Sequence, residues 1–407
     1  YTMKICNALL CGFALMFSAC SSDSDVADNE RKDIELDGNE IEIVNTQNST
    51  AFDMLRYFDA NSEQANFMVS PLSAQFSLSM LANGAQGTTL DELSKVLGGN
   101  SVGELNALNK RLLSELPKAD KKTAFRSANS LWLNNGFNIL PAYSRSMADF
   151  YRTDVATVDL TTDVAVKKIN DWCSLKTDGM IPSVINSPYS GDIVFIILNA
   201  LYFKSEWQQP FKTENTVSKE FTNSDGTVSN VATMCKKEYM PYFKTEKYEL
   251  VRMNYGNGAY AMTLLLPSKD SSLGEVLQTL DAEAWAAWKS NRVVKDCMLE
   301  MPKFTIDTRF DLDGYFGSIG IKEVYDANKA DLSAMSDRAV HLSRSEQFTR
   351  IEVDEKGTVA TAVTKHESWD TDVYFEPVEF HIDRPFAFII EETSTGAVLF
   401  TGRVNKL

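Results

Sequence analysis

Three histidines, His341, His366 and His381, are the chain's only side chains that ordinarily titrate near neutral pH. A hydrolase needs one of them beside a nucleophile, and no G-x-S-x-G elbow is present to hold such a pair. His366 and His381 fall in or just past a charged, irregular stretch that could not bury a triad. A zinc site finds no H-E-x-x-H, and Cys173, Cys235 and Cys297 stand alone without C-x-x-C spacing. These three read as small buried apolar side chains. Gly84–Thr89 (GAQGTT) has the glycines of a phosphate loop but lacks its lysine. A formal net charge of −16 repels nucleic acid. The residues therefore point away from an enzyme, with neither cofactor nor metal.

The stretch that organises the chain is Val353–Thr364, VDEKGTVATAVT. Gly357 interrupts a charged turn, and Thr358, Ala360, Ala362 and Thr364 then recur at every second position. In a strand they line one face, because side chains alternate at a period of two. Thr358, Val359, Thr361, Val363 and Thr364 are β-branched and fit a helix poorly. The window suits an ordinary small-residue strand, or one that slides between two others and is covered afterwards. A polar run, KHESWDTDVYFEPVEF, follows it. Two apolar strands then close the chain, Phe386–Glu391 and Val398–Val404, joined by a turn at Thr393–Gly396. An irregular stretch of this length inside a compact chain signals function or disorder.

Glu355-Lys356-Gly357-Thr358 with its small residues, and the ending FHIDRPFAFII…GAVLFTGRV, resemble the serpins, the serine protease inhibitor family. The likeness continues through NFMVSPLSAQFSLSMLANGAQGTTLDEL, INDW, DGMI, LNALYFKSEW and KADLSAMSD, in consistent order. It implies an α+β fold of helices packed on three mainly antiparallel β-sheets, with an exposed reactive loop near the C-terminus. The largest antiparallel sheet would accept that loop. The resemblance also implies a function: a suicide substrate that traps the acyl-enzyme of a serine protease, or of some cysteine proteases, by inserting its cleaved loop. The alternative is a non-inhibitory serpin-fold binding protein or chaperone, whose inserting face usually carries bulky or charged residues or proline. Here that face is Thr358, Ala360, Ala362, Thr364, His366 and Ser368, small but for His366. With Glu355 and Gly357 these residues form the hinge.

The resemblance further assigns Ser70, Ser73, Asn199 and Gln347 to the point where the strands of the main sheet part. The family usually has histidine where Gln347 stands. Glutamine still donates and accepts hydrogen bonds but does not titrate. Two rulers disagree about the scissile bond. Counting seventeen from Glu355 gives Thr371–Asp372, and counting back eleven from Pro385 gives Tyr374–Phe375. The first is preferred because insertion length is measured from the hinge, and it points to elastase- or subtilisin-like enzymes. The second points to chymotrypsin-like ones.

Other elements must position that loop. Asn48 or Ser49 caps a helix through Phe52, Leu55 and Phe58, and Asn66–Val69 is a short strand. Ser70 caps a helix with Pro71 at its first position, and a further helix over Thr89–Leu97 stops at Gly98-Gly99. Ser127–Leu133, Thr153–Asp159, the strongly apolar Asp192–Phe203 and Cys297–Ile306 read as strands. Pro141–Phe150, Val164–Trp172, Glu283–Lys289 and Leu312–Ile319 read as helices. At the other end, Lys4, the apolar run Ile5–Phe17 and Phe17-Ser18-Ala19-Cys20 read as an export signal over residues 1–19. The motif is similar to a bacterial lipobox, which makes Cys20 a lipidated anchor; an ordinary signal peptide cut nearby is the other reading. Residues 20–45 read as an acidic flexible tether, and 46–407 as a single domain. The expected protein is an exported monomer held on the outer membrane by its lipid.

Overall fold

The computed structural model describes residues 29–191, 193–357 and 376–407. Within them the helices are α1 (Gly38–Asn61), α2 (Pro71–Ala82), α3 (Gly87–Val96), α4 (Val102–Ala119) and α5 (Pro141–Tyr151). Then come α6 (Asp163–Lys176), α7 (Leu273–Leu277), α8 (Ala282–Asn291) and α9 (Asp313–Ser318). The strands begin with β1 (Asn66–Val69), β2 (Ala124–Leu133), β3 (Asp154–Thr157), β4 (Phe195–Lys204) and β5 (Val217–Thr222). They continue with β6 (Val228–Lys244), β7 (Tyr248–Tyr255), β8 (Tyr260–Pro267), β9 (Val293–Pro302) and β10 (Phe304–Asp311). The last four are β11 (Arg344–Val353), β12 (Val378–His381), β13 (Phe386–Glu392) and β14 (Val398–Val404).

Two sheets, not three, organise the described residues. One has nine strands, ordered β1-β14-β13-β8-β7-β6-β9-β12 with β5 beside β6. The merger has a physical cause in the 17-residue β6. Its start pairs with β5, its middle with β9 and its end with β7, so one strand bridges what would otherwise be separate sheets. The other sheet has five strands, ordered β10-β11-β4-β2-β3. Cys297–Ile306, expected as one strand, is divided between the sheets. Pro302 cannot donate to a ladder, and Lys303 turns the chain out of β9 into β10, its N–H donating to Ala232 O at 2.9 Å.

β4 is buried on both faces, as its unbroken apolar run requires. Phe195, Ile197, Leu201 and Phe203 join the main core, which α2 also enters. Ile196, Leu198 and Ala200 face a second core with Ile169 and Cys173 of α6. α4 is an addition to the expected elements. Ser101 and Glu104 form its capping box, and Leu105, Leu108, Leu112 and Leu116 bury its inner face.

The N-terminal helix begins a full ten residues before the expected cap. Asp37 and Glu40 cap it reciprocally, so Asn48 and Ser49 lie inside it. The segment before it is a strap rather than a tether. Arg31 donates to Gly258 O at 2.9 Å, the Ile34 N–H donates to Ser394 Oγ at 2.9 Å, and Ile34 is buried. Lys121 N–H donates to Asn29 Oδ1 at 3.0 Å. Over residues 29–45 the expected tether, and with it the domain start at 46, is corrected: among the described residues the packed body reaches back to Asn29. Limited proteolysis of the native protein checks this. No cut should fall between Asn29 and Asn45, and a rapid native cut there would show the strap detached.

Candidate functional site

β11 and β4 run side by side and parallel, from Arg344 opposite Ile196 to Arg350 opposite Tyr202. Both of their outer neighbours in the sheet, β10 and β2, are antiparallel to them. Parallel pairs are slightly weaker per residue than antiparallel ones. The seam between β4 and β11 is also the one place where a strand turning back from β11 would be antiparallel to both sides.

The hinge stands at the head of that seam. The chain leaves β11 through a turn in which the Asp354 N–H donates to Gly357 O at 2.9 Å. Asp354 Oδ1 accepts from the Lys356 N–H at 2.9 Å and the Gly357 N–H at 3.2 Å. Gly357 forms antiparallel bridges with Asp354 on one side and Glu206, just past β4, on the other. Its φ of +129° and a Cβ position 2.4 Å from Ser205 O leave room for glycine alone. Trp207 N–H donates to Lys356 O at 2.9 Å, its Nε1–H to Asp354 O at 3.0 Å, and Phe211 N–H to Glu355 O at 2.8 Å. Glu355 is buried, paired with Lys303 at 2.8 Å and accepting from Thr216 Oγ1 at 2.8 Å. Burial pushes its carboxyl up, but the bonds from Lys303, its own N–H and Thr216 outweigh it and leave the pKa lowered. That contribution is therefore complete at neutral pH and is lost only in strong acid, as pH falls through the lowered value.

The four residues assigned to the parting point come together beneath the sheet, where Gln347 and Asn199 fasten the two sides of the seam to α2 and its cap. On the β11 side, Gln347 reads both backbone groups of Ser70. Its Oε1 accepts from the Ser70 N–H at 2.7 Å, and its Nε2–H donates to Ser70 O at 2.9 Å. On the β4 side, Asn199 accepts from Ser77 Oγ at 2.6 Å and donates to Asn129 Oδ1 at 2.8 Å. Asn129 in turn donates to Tyr151 O at 3.1 Å. Ser70 also caps α2, its Oγ accepting from the Ser73 N–H at 3.3 Å and donating to Leu399 O at 2.7 Å. Ser73 enters only through its backbone; its buried hydroxyl meets no partner among the described residues. Ser77 and Asn129 were not foreseen, although Ser70, Ser73 and Ser77 lie along one face of the helix.

Lower on β11, the Ser345 N–H and the Tyr325 hydroxyl both donate to Asp313 Oδ1 at 2.9 Å. Burial first, then the adjacent Asp311 carboxylate, push the Asp313 carboxyl up to about 7. His381 lies beside Glu379 at 2.6 Å and Glu300 at 3.8 Å. The inserting positions Thr358, Ala360, Ala362 and Thr364, both candidate bonds, Thr371–Asp372 and Tyr374–Phe375, and Cys20 lie outside the described residues.

Two outcomes are expected. Gln347→Ala leaves the buried Ser70 N–H without its partner and should cost about 1–3 kcal/mol, read from the denaturation midpoint of the native form. Asp313, with a raised folded pKa, stabilises most below about pH 4 and loses that contribution as pH rises to about 7. Asp313→Asn should flatten the melting temperature over this window, and an unchanged profile would show that Asp313 does not titrate there.

A protein-family model described as Serpin (serine protease inhibitor) matches residues 45–407. Leukocyte elastase inhibitor A of Mus musculus is 31% identical over 366 residues, covering 87% of this chain and 96% of that protein. The native-state crystal structure of tengpin, a thermophilic serpin, superposes with a TM-score of 0.81 at 28% identity, covering 93% and 97% of the two chains. Human thyroxine-binding globulin in complex with thyroxine shares the fold alone, at 24% identity, a TM-score of 0.83 and coverage of 91% and 99%. Set beside the parallel seam, the hinge and the paired fastenings on α2, these matches place the chain in the serpin family.

Proposed function

We propose that the chain inhibits serine proteases, and some cysteine proteases, as a suicide substrate whose cleaved loop enters the β4/β11 seam. The observation that carries this is the double bridge of Gly357. Its partners Asp354 and Glu206 stand in the same relative register as Arg350 and Tyr202 within the seam. A strand continued from Gly357 would therefore fit both neighbours without a shift. Thr358 would lie opposite Ser205 and Val353, Ala360 opposite Phe203 and Ile351, Ala362 opposite Leu201 and Thr349, and Thr364 opposite Asn199 and Gln347. These neighbours are buried, so only small side chains fit between them and α2. Val359, Thr361 and Val363 would point to the opposite face, where only Val363, beside Ala200 and Phe348, would meet the second core.

The same register brings Ser368 opposite Phe195, the first residue of β4. Thr371 would then emerge just beyond the sheet, where an acyl-linked protease has room, whereas Lys365 would stop inside it opposite Leu198. Fourteen residues from Thr358 to Thr371 span roughly 46 Å at about 3.3 Å each. Exchanging one parallel ladder for two antiparallel ones adds about ten hydrogen bonds, on the order of 10 kcal/mol net. That can offset distortion of the trapped enzyme. The preferred bond is Thr371–Asp372, with Tyr374–Phe375 as the second choice. The similarity to leukocyte elastase inhibitors favours elastase-like targets. The other reading is a non-inhibitory carrier: a serpin-fold binding protein or chaperone.

Incubation with elastase-, subtilisin- and chymotrypsin-like enzymes should yield a complex that survives boiling in detergent and runs near the summed mass. Cleaved protein and fully active enzyme in every case would leave the carrier reading standing. The mass of the released C-terminal peptide identifies the bond: a start at Asp372 supports the first choice, a start at Phe375 the second, and a start at His366 neither. Thr358→Arg, which would bury an unpaired charge, should abolish trapping and leave cleavage intact. We also propose an exported, lipid-anchored protein acylated at Cys20. Cys20→Ala should leave the membrane fraction or accumulate as precursor, and unchanged fractionation excludes the anchor.

A further inference from the structure

We propose that Lys236 is a positioning residue for loop insertion, holding the Glu206–Phe211 segment where it offers the hinge its first rung. The inference rests on the inhibitory reading above. Glu206–Phe211 touches the hinge turn at four points, through Glu206, through the Trp207 backbone and indole N–H groups, and through the Phe211 N–H. The first half of the segment is fastened to β7 and the turn after it. Gly256 N–H donates to Glu206 O at 2.7 Å, Gln208 N–H donates to Asn254 O at 2.8 Å, and the Trp207 ring stacks on Tyr255 at 4.3 Å.

Lys236 of β6 fastens the second half. Its ammonium donates to Gln209 O at 2.9 Å and sits 4.7 Å from the centre of the Phe211 ring. Glu238, two residues along the same strand face, pairs with it at 2.8 Å. The Lys236 side chain is only 11% exposed. Burial lowers its pKa and the Glu238 carboxylate partly restores it. Burying a cation is costly, and a methionine of similar length would fill the same space without that cost. The neighbouring Lys237 pairs instead with Asp296 at 3.0 Å, and its side chain is about half exposed. Within this lysine pair it is the buried member that meets the clamp on the hinge.

A loosened second half frees Phe211 and the Glu355 carbonyl it holds, so Gly357 meets Glu206 less often in register. Insertion then competes less well with hydrolysis of the acyl-enzyme. Lys236→Met in the full chain should raise the number of inhibitor molecules consumed per protease trapped about tenfold, the loss expected for one charge-assisted hydrogen bond. Lys236→Arg, which keeps the cation over the ring, should restore most of it. The melting temperature of the cleaved, inserted form should match wild type. Unchanged consumption overturns the proposal. So does an equal loss of stability in native and inserted forms, which would make the lysine merely structural. Faster insertion without any protease also overturns it, since Lys236 would then be a lock. Should Lys236→Met not fold, Glu238→Gln keeps the lysine and should shift consumption about threefold in the same direction. If the wild type traps no protease, the inhibitory reading falls and takes this one with it; if the wild type traps and both variants match it, only the role of Lys236 is lost.

Discussion

Two adjacent strands that run the same way impose the constraint from which the rest of this structure follows. No hairpin can join β4 to β11, so the chain must travel around the molecule to place them together. That detour is the body of the protein: β5 to β10, α7 to α9 and much of the nine-stranded sheet lie between them in sequence. What results is a seam with the same polarity on both sides, weaker than its flanks and matched to a returning strand. Gly357 already satisfies the geometry of such a strand at one rung. The molecule is thus closed by a pairing that a better pairing can replace.

The polar groups under the seam fit the proposed exchange. Gln347 hooks β11 to Ser70, the cap of α2, while Asn199 hooks β4 to Ser77 and onward to Asn129. No side-chain hydrogen bond among the described residues joins Gln347 to Asn199. Each bank of the seam keeps its own satisfied network, and buried networks are worth most when every member is paired. Because Gln347 carries no titratable group, any response to pH must come from elsewhere. Asp313, which holds the Ser345 N–H at the foot of β11, is placed to supply one.

The hinge turn and the start of α2 could be read from the residues because their signals are local, whereas Asn199 and Gln347 entered only through the family resemblance. A glycine three residues after Asp354, a serine–proline helix start and an apolar run from Asp192 to Phe203 each dictate geometry within a few positions. The C-terminal hairpin was legible for the same reason. What escaped depends on distant partners. Nothing within β6 says that its three thirds pair with three different strands, so the sheets were counted one too many. Cys297–Ile306 read as one strand, but Pro302 within it marks a change of sheet. The charged residues before Gly38 read as solvated chain because Gly258 and Ser394, the groups that receive them, stand more than two hundred residues away. Lys236 was equally silent, since its worth lies in a carbonyl and a ring from another part of the chain.

The strap decides where the molecule would be moored. Among the described residues Asn29, not residue 45, is the first fixed to the body, bonded through Lys121 and Asn257 beside the Gly256–Gly258 turn. Gly256 holds Glu206, and Glu206 holds Gly357, so the N-terminal exit and the hinge share one end of the protein. From Cys20 to Asn29 the chain can span roughly 30 Å at about 3.3–3.6 Å per residue. If the proposed acylation of Cys20 holds, the lipid would berth the hinge end of the body close to the bilayer. The proposed insertion would then carry a trapped protease toward the far end of the body, away from that membrane.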